Sequence, residues 1–151
     1  MRSSASTRFV TSFVLAVLGP QVSADPLWAP VAQTEDSVYL LDESSVEMRA
    51  GLLTAWELVE YAWPQYENGV SYRSQVNLRA YRCEDQSWDV LRVTRYAGPQ
   101  RSGAAVLSSN FTLSGMSWNY APPESVAAHL LERVCAISGV QSRSAALRAQ
   151  R

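Results

Sequence analysis

Lysine is absent, and all 13 basic residues are arginine. Histidine occurs once, as His129, and cysteine twice, as Cys83 and Cys135. So few such side chains exclude a Cys/His metal cage or a Cys–His nucleophile pair of ordinary spacing. A surplus of one charge is also lacking. The 13 basic residues face 14 acidic ones, without the basic excess that marks nucleic-acid binding. No Gly-x-Ser-x-Gly elbow and no phosphate-cradling glycine loop occurs. No residue is expected to be catalytic, cofactor-binding or metal-binding, no cofactor is expected, and the protein is expected not to be an enzyme. What is present is a folding composition: 47% hydrophobic residues against 18% charged ones, over a length of 151 that suits one domain.

The N-terminus reads as an address. Arg2 and Arg8 precede any acid, Phe9 to Leu18 is apolar except for Thr11 and Ser12, and Gly19-Pro20 breaks a helix. Val22-Ser23-Ala24 then supplies small residues at the two positions a signal peptidase reads. The pattern predicts a signal peptide over 1–24, with cleavage between Ala24 and Asp25. Its apolar core is too short to span a bilayer, which takes roughly 20 residues. No cysteine lies near the cleavage point to carry a lipid anchor, and no later segment is apolar enough to span. The expected product is a periplasmic or secreted chain of 11 arginines and 14 acids, with surface display left open.

Turn chemistry recurs at short intervals: Asp42-Glu43-Ser44-Ser45, Ala50-Gly51, Pro64 to Gly69, Glu84 to Ser87, and Gly98-Pro99 to Gly103. Between these lie runs rich in Val, Tyr, Trp, Leu and Thr, which favours an antiparallel meander. The clearest strand is Val70 to Arg82. Val70, Tyr72, Val76, Leu78 and Ala80 share one face, and Ser71, Arg73, Gln75, Asn77 and Arg79 the other, so the second face is assigned to water. Leu52 to Ala62 is apolar on both faces and reads as a central strand. Trp88 to Tyr96, Ala104 to Leu113, Ser37 to Leu41 and an edge strand at Leu27 to Val31, carrying Pro30, complete five to six strands.

From Pro123 to Val134 the period changes. Val126, Leu130 and Val134, with Ala127 and Leu131 beside them, make one helical face. Pro122-Pro123 suits the first turn and Gly139 a stop. The fold class is therefore α+β: a small antiparallel sheet packed by one C-terminal helix. The domain is placed at 25–137, with a flexible arginine-containing tail at 138–151.

In an exported chain Cys83 and Cys135 are expected to pair. Their placement carries a difficulty: Cys83 shares parity with Arg79, on the face assigned to water, whereas the helix should cover the other. A bulge after Leu78, a helix end reaching around the strand terminus, or two free thiols are the alternatives.

Few residues suggest chemistry. His129 reads as a rim residue of the helix. Glu57 shares a face with Val59 and Tyr61, and Arg79 or Arg92 is a possible cross-strand partner. Glu57 and Glu60 are the acid pair a hydrolase reading would use. Trp56, Trp63, Trp88 and Trp118 with Tyr61, Tyr66, Tyr96 and Tyr120 offer material for an aromatic–arginine binding patch, since interfaces favour Tyr, Trp and Arg.

An ordered set of landmarks runs through the chain: Trp28; Val38 to Asp42 followed by Ser44-Ser45-Val46; Thr54-Ala55-Trp56 leading into Val59-Glu60-Tyr61; a long strand ending at Cys83; Arg95-Tyr96-Ala97-Gly98; Trp118 followed by Pro122-Pro123-Glu124-Ser125; and Val134-Cys135. This set resembles the surface-adhesin protein E-like family of exported bacterial proteins, over about residues 27–137. The resemblance implies an antiparallel sheet with a C-terminal helix, a Cys83–Cys135 disulfide and no enzymatic activity. It also implies a protein partner, from the host matrix or the cell envelope. A structural or inhibitor-like envelope protein is the alternative.

Overall fold

The computed structural model describes residues 26–112 and 115–149, the last ten (140–149) by backbone alone. The expected signal peptide, its cleavage point at Ala24 and Asp25, and Leu113 lie outside the described residues.

Six antiparallel strands follow one another across the sheet in chain order: β1 Trp28–Gln33, β2 Ser37–Arg49, β3 Leu52–Glu67, β4 Val70–Arg82, β5 Ser87–Tyr96 and β6 Ala105–Asn110. A two-residue strand, β7 Asn119–Tyr120, pairs with the start of β5, beyond the reach of β6. The helix α1, Val126–Ala149, follows. The chain is thus the α+β meander that its periodicity predicts, with β1 at an edge and β3 in the interior. Two-residue loops join β2 to β3 and β3 to β4. All four of their residues, Ala50, Gly51, Asn68 and Gly69, have φ between 50° and 80°, the mirror-image turn whose twist matches that of a hairpin.

The segment Asp42 to Ser45 is not the turn its composition suggests. It is a bulge inside a longer β2: Asp42 pairs with Trp56 and the ladder resumes at Glu47 with Thr54. The local bonds are those of a turn. Asp42 Oδ1 accepts from the Ser44 amide at 3.1 Å, and the Ser45 hydroxyl donates to the Asp42 carbonyl at 2.6 Å. Ser45 Oγ also accepts the Trp56 amide at 2.9 Å, replacing a missing ladder bond. Turn chemistry and bulge chemistry are the same short side chain-to-backbone bonds, so composition alone does not separate them. A second register shift interrupts β3 between Glu60 and Gln65.

The helix lies on the face that β4's periodicity assigned to water. Leu41, Leu53, Ala55 and Tyr81 pack with Leu130, Leu131 and Val134 in one core. Tyr81 shares parity with Asn77 and Arg79, so this face is the polar one by sequence. Both faces of β4 are in fact covered, since Val76, Leu78 and Ala80 on the other side are also buried. Cys83 keeps the parity of Arg79 and Tyr81 and so faces the helix directly. Its disulfide to Cys135, with Cα atoms 5.9 Å apart, requires neither a bulge in β4 nor a detour of the helix. Arg133 adds a second tie, its Nε donating to Glu43 of the β2 bulge at 2.7 Å.

The helix begins at Val126, not at Pro123. Ser125 is its cap: Oγ accepts the Ala128 amide at 3.1 Å and donates to the Pro122 carbonyl at 2.6 Å. The two prolines therefore precede the cap. Gly139 is no stop either, because the helix continues to Ala149 through much of the segment read as a tail. Replacing Ser125 with alanine leaves an amide of the first turn unpaired and is expected to cost about 1 kcal/mol. A urea melt with unchanged slope and a lowered midpoint would show it; an unchanged midpoint would contradict the cap.

Candidate functional site

The two carboxylates of the hydrolase reading do not meet. Glu57 and Glu60 sit at odd and even positions of β3, and their contacts confirm opposite faces. Glu57 is 1% exposed on the helix side. Arg79 Nε lies 2.9 Å from its Oε2 and the Tyr81 hydroxyl donates to its Oε1. Arg79 in turn stacks on Trp88, 4.2 Å from the ring centre. Burial raises the Glu57 carboxyl above its ordinary range, with Arg79, Tyr81 and Asn77 pulling the other way. Burial likewise holds the Tyr81 hydroxyl well above its usual value, assisted by the Glu57 charge. This is a sealed charge network belonging to the core.

Glu60 points to the opposite face and anchors a loop. Its carboxylate accepts the Gln100 amide, at 2.8 Å to one oxygen and 3.0 Å to the other. Burial raises its carboxyl too, opposed first by that amide. The Arg101 amide donates to Ser74 Oγ at 3.0 Å, and the Ser74 hydroxyl donates to the Gly98 carbonyl at 2.7 Å. These bonds fold the β5–β6 connection back over the sheet. They also hold Gln100 and Arg101 at φ 52° and 60°, a left-handed conformation that costs non-glycine residues roughly 1–2 kcal/mol each. The loop is therefore built to place Arg101.

Arg101 reaches across the sheet to Trp28 of β1, its guanidinium 5.3 Å from the ring centre. Between them opens a cleft of about 410 Å³, whose walls include Trp28, Trp56, Tyr96, Arg92, Arg101 and Asp42. Its floor follows from register. Trp28 pairs with Asp42, Asp42 with Trp56, Trp56 with Leu78 and Leu78 with Arg92. One row thus runs across five strands and sets two tryptophans, an acid and an arginine on one face.

The charges of the cleft are unevenly committed. Asp42 is 7% exposed, and its Oδ1 is engaged by Ser44. Arg92 Nε donates to the neutral Asn110 Oδ1 at 2.7 Å. Among the described residues, Arg49, Arg79, Arg82, Arg95 and Arg133 each have a carboxylate at ion-pair distance, whereas Arg92 and Arg101 have none. The indole N–H of Trp28 is buried without a hydrogen-bond partner. The cleft thus sets the donors of Arg92, Arg101 and Trp28 beside one carboxylate, Asp42.

Of the aromatics named from sequence, Trp56 and Tyr96 line this cleft and the rest are dispersed. Trp88 stacks on Arg79 and Trp118 on Arg82, each at 4.2 Å. Tyr61 meets Tyr72 edge to face at 5.7 Å, and burial pushes its hydroxyl up to about 12. Trp63, Tyr66 and Tyr120 are exposed elsewhere. The sequence marks neither Trp28 nor Arg101 as part of this cleft: one reads as an edge strand and the other as part of a Gly-Pro turn. His129 is exposed on the helix. Among the described residues no group of His, Cys, Asp and Glu is arranged to hold a metal ion, and no helix is long and apolar enough to cross a membrane.

A family model described as surface-adhesin protein E matches residues 28–136. A solved structure of Haemophilus influenzae protein E superposes with a TM-score of 0.54 at 14% identity, covering 79% of this chain and 91% of that one. A second crystal form gives 0.57 at 15% identity, covering 81% and 97%. Among curated proteins nothing matches.

Proposed function

This chain belongs to the surface-adhesin protein E family, and from that premise we propose that it is an exported, non-catalytic binding domain whose partner is a protein of the host matrix or the cell envelope. The observation that carries the reading is the cleft, where three aromatic rings meet two arginines and the Asp42 carboxylate, and neither arginine has a carboxylate at ion-pair distance among the described residues. Such a surface buries apolar area and still offers strong donors, the composition that concentrates binding energy at interfaces. The hydrolase alternative needs Glu57 and Glu60 as an acid pair, and the fold holds the two on opposite faces.

Export rests on the signal pattern of 1–24 and on the disulfide, which suits an oxidising compartment. The test combines protease treatment of intact cells with mass spectrometry and a binding assay on immobilised matrix and envelope proteins. We expect a mature chain that starts at Asp25 and binds at least one such protein saturably. Recovery of residues 1–24 on the mature chain would overturn export. Absence of saturable binding across the panel would overturn the binding reading.

A further inference from the structure

We propose that the cleft between β1 and the β5–β6 connection receives a short peptide segment bearing one carboxylate beside an apolar side chain, presented by the protein partner. The inference rests on the binding reading above and adds the site and the chemistry it recognises.

Three observations define the ligand. The first is charge. Arg92 and Arg101 reach the cleft from β5 and from the loop beyond it, and neither has a carboxylate at ion-pair distance among the described residues, Glu60 acting on Arg101 only from farther away. A carboxylate entering between them would gain charge-assisted hydrogen bonds, about twice as strong as neutral ones. The second is the apolar wall. Trp28, Trp56, Tyr96 and Val76 offer flat surface to an aliphatic or aromatic side chain adjoining that carboxylate. The third is capacity. A cleft of about 410 Å³ lies at the small end of ligand sites and holds two or three side chains.

The same features argue against a polyanion such as a sulfated polysaccharide. That ligand needs an open stripe of many cations. Here two arginines share the cleft with Asp42, on a chain whose formal net charge is −1. The site is also preorganised. Glu60 holds the Gln100 amide and Ser74 the Arg101 amide, so little ordering cost remains when the ligand arrives.

Isothermal titration with N-acetyl-Leu-Asp-Phe-amide, against its Asn analogue, tests the proposal on the purified protein. The aspartyl peptide is expected to bind about tenfold more tightly, and the difference should shrink with added salt. Arg92→Gln and Arg101→Gln should each lower its affinity several-fold without moving the melting temperature. The double variant should abolish the preference for aspartate, and Arg101→Lys should restore part of it. Equal binding of the two peptides, no binding of either, or displacement by a heparin hexasaccharide would overturn the proposal. The double variant is also run on the matrix and envelope panel. Undiminished binding there would refute the cleft as the site while leaving the adhesin-like function standing. Absence of binding by the unmodified domain would instead refute that function.

Discussion

Replacing Arg79 with methionine is expected to destabilise the domain by about 3–5 kcal/mol near neutral pH, the usual cost of stranding one member of a buried ion pair. Glu57 would then keep Tyr81 and Asn77 but lose its only cation, in a position 1% exposed. Methionine keeps an apolar stem of similar length but loses the guanidinium that stacks on Trp88, so the pH dependence is what separates the charge effect from the stacking. The pH dependence supplies a signature. Burial raises the folded carboxyl above its ordinary 4.5, so between these values the folded state holds a proton that the unfolded state releases. Stability from this group therefore falls as pH rises through that window and recovers as pH is lowered. Without Arg79 the folded value moves higher still and the window widens upward. The penalty of Arg79→Met should be largest at alkaline pH and shrink toward acid. Glu57→Gln combined with Arg79→Met, which removes both charges, should recover most of it. Urea melts from pH 4.5 to 8.5 would decide. A penalty that ignores pH would mean that Arg79 acts through packing alone.

Removing the disulfide is the second large effect. Cys83 and Cys135 are 52 residues apart, and closing a loop of that length in the unfolded chain is worth up to roughly 4 kcal/mol. Small domains have only about 5–15 kcal/mol of net stability. The bond also pins the helix at the point where β4 ends, next to Val134 and the core below it. The double variant Cys83→Ala, Cys135→Ala is expected to lose about 3–4 kcal/mol, and the unmodified protein in reductant should lose a similar amount. The cleft lies on the opposite sheet face, built from Asp42 of β2 and Trp56 of β3, whereas the helix packs on Leu41, Leu53 and Ala55. Peptide affinity per folded molecule should therefore survive reduction at temperatures where the domain remains folded. A loss below 1 kcal/mol, measured by urea melts with and without reductant, would show that packing of Leu130, Leu131 and Val134 already holds the helix.

Local pattern was enough for the meander and the helix. Gly51 and Gly69 mark turns that need positive φ, the strands between them carry period-two runs, and Val126, Leu130 and Val134 recur at helical spacing. Each of these signals concerns neighbours along the chain, and each is set by backbone geometry. The pairing of Cys83 with Cys135 was legible from compartment and family resemblance, although parity argued against it. That objection came from treating polar residues as wet. Arg79 and Asn77 are polar, yet they lie on the helix-bearing face of the sheet with little or no exposure because Glu57, twenty-two and twenty positions earlier, compensates them.

The cleft needed the tertiary structure. Its row of Trp28, Asp42, Trp56 and Arg92 depends on the register of four strand pairs, which shifts at bulges in β1, β2, β3 and β5. One residue of slip would turn each of these side chains to the other face. Asp42 to Ser45 read as a turn because a bulge uses the same short bonds, and Arg101 read as loop surface because nothing near it in sequence names Glu60 or Ser74 as its anchors. Secondary structure follows from contacts a few residues apart, and so it can be read from pattern. A cleft made of residues 28 to 101 follows from contacts that exist only once the strands have paired.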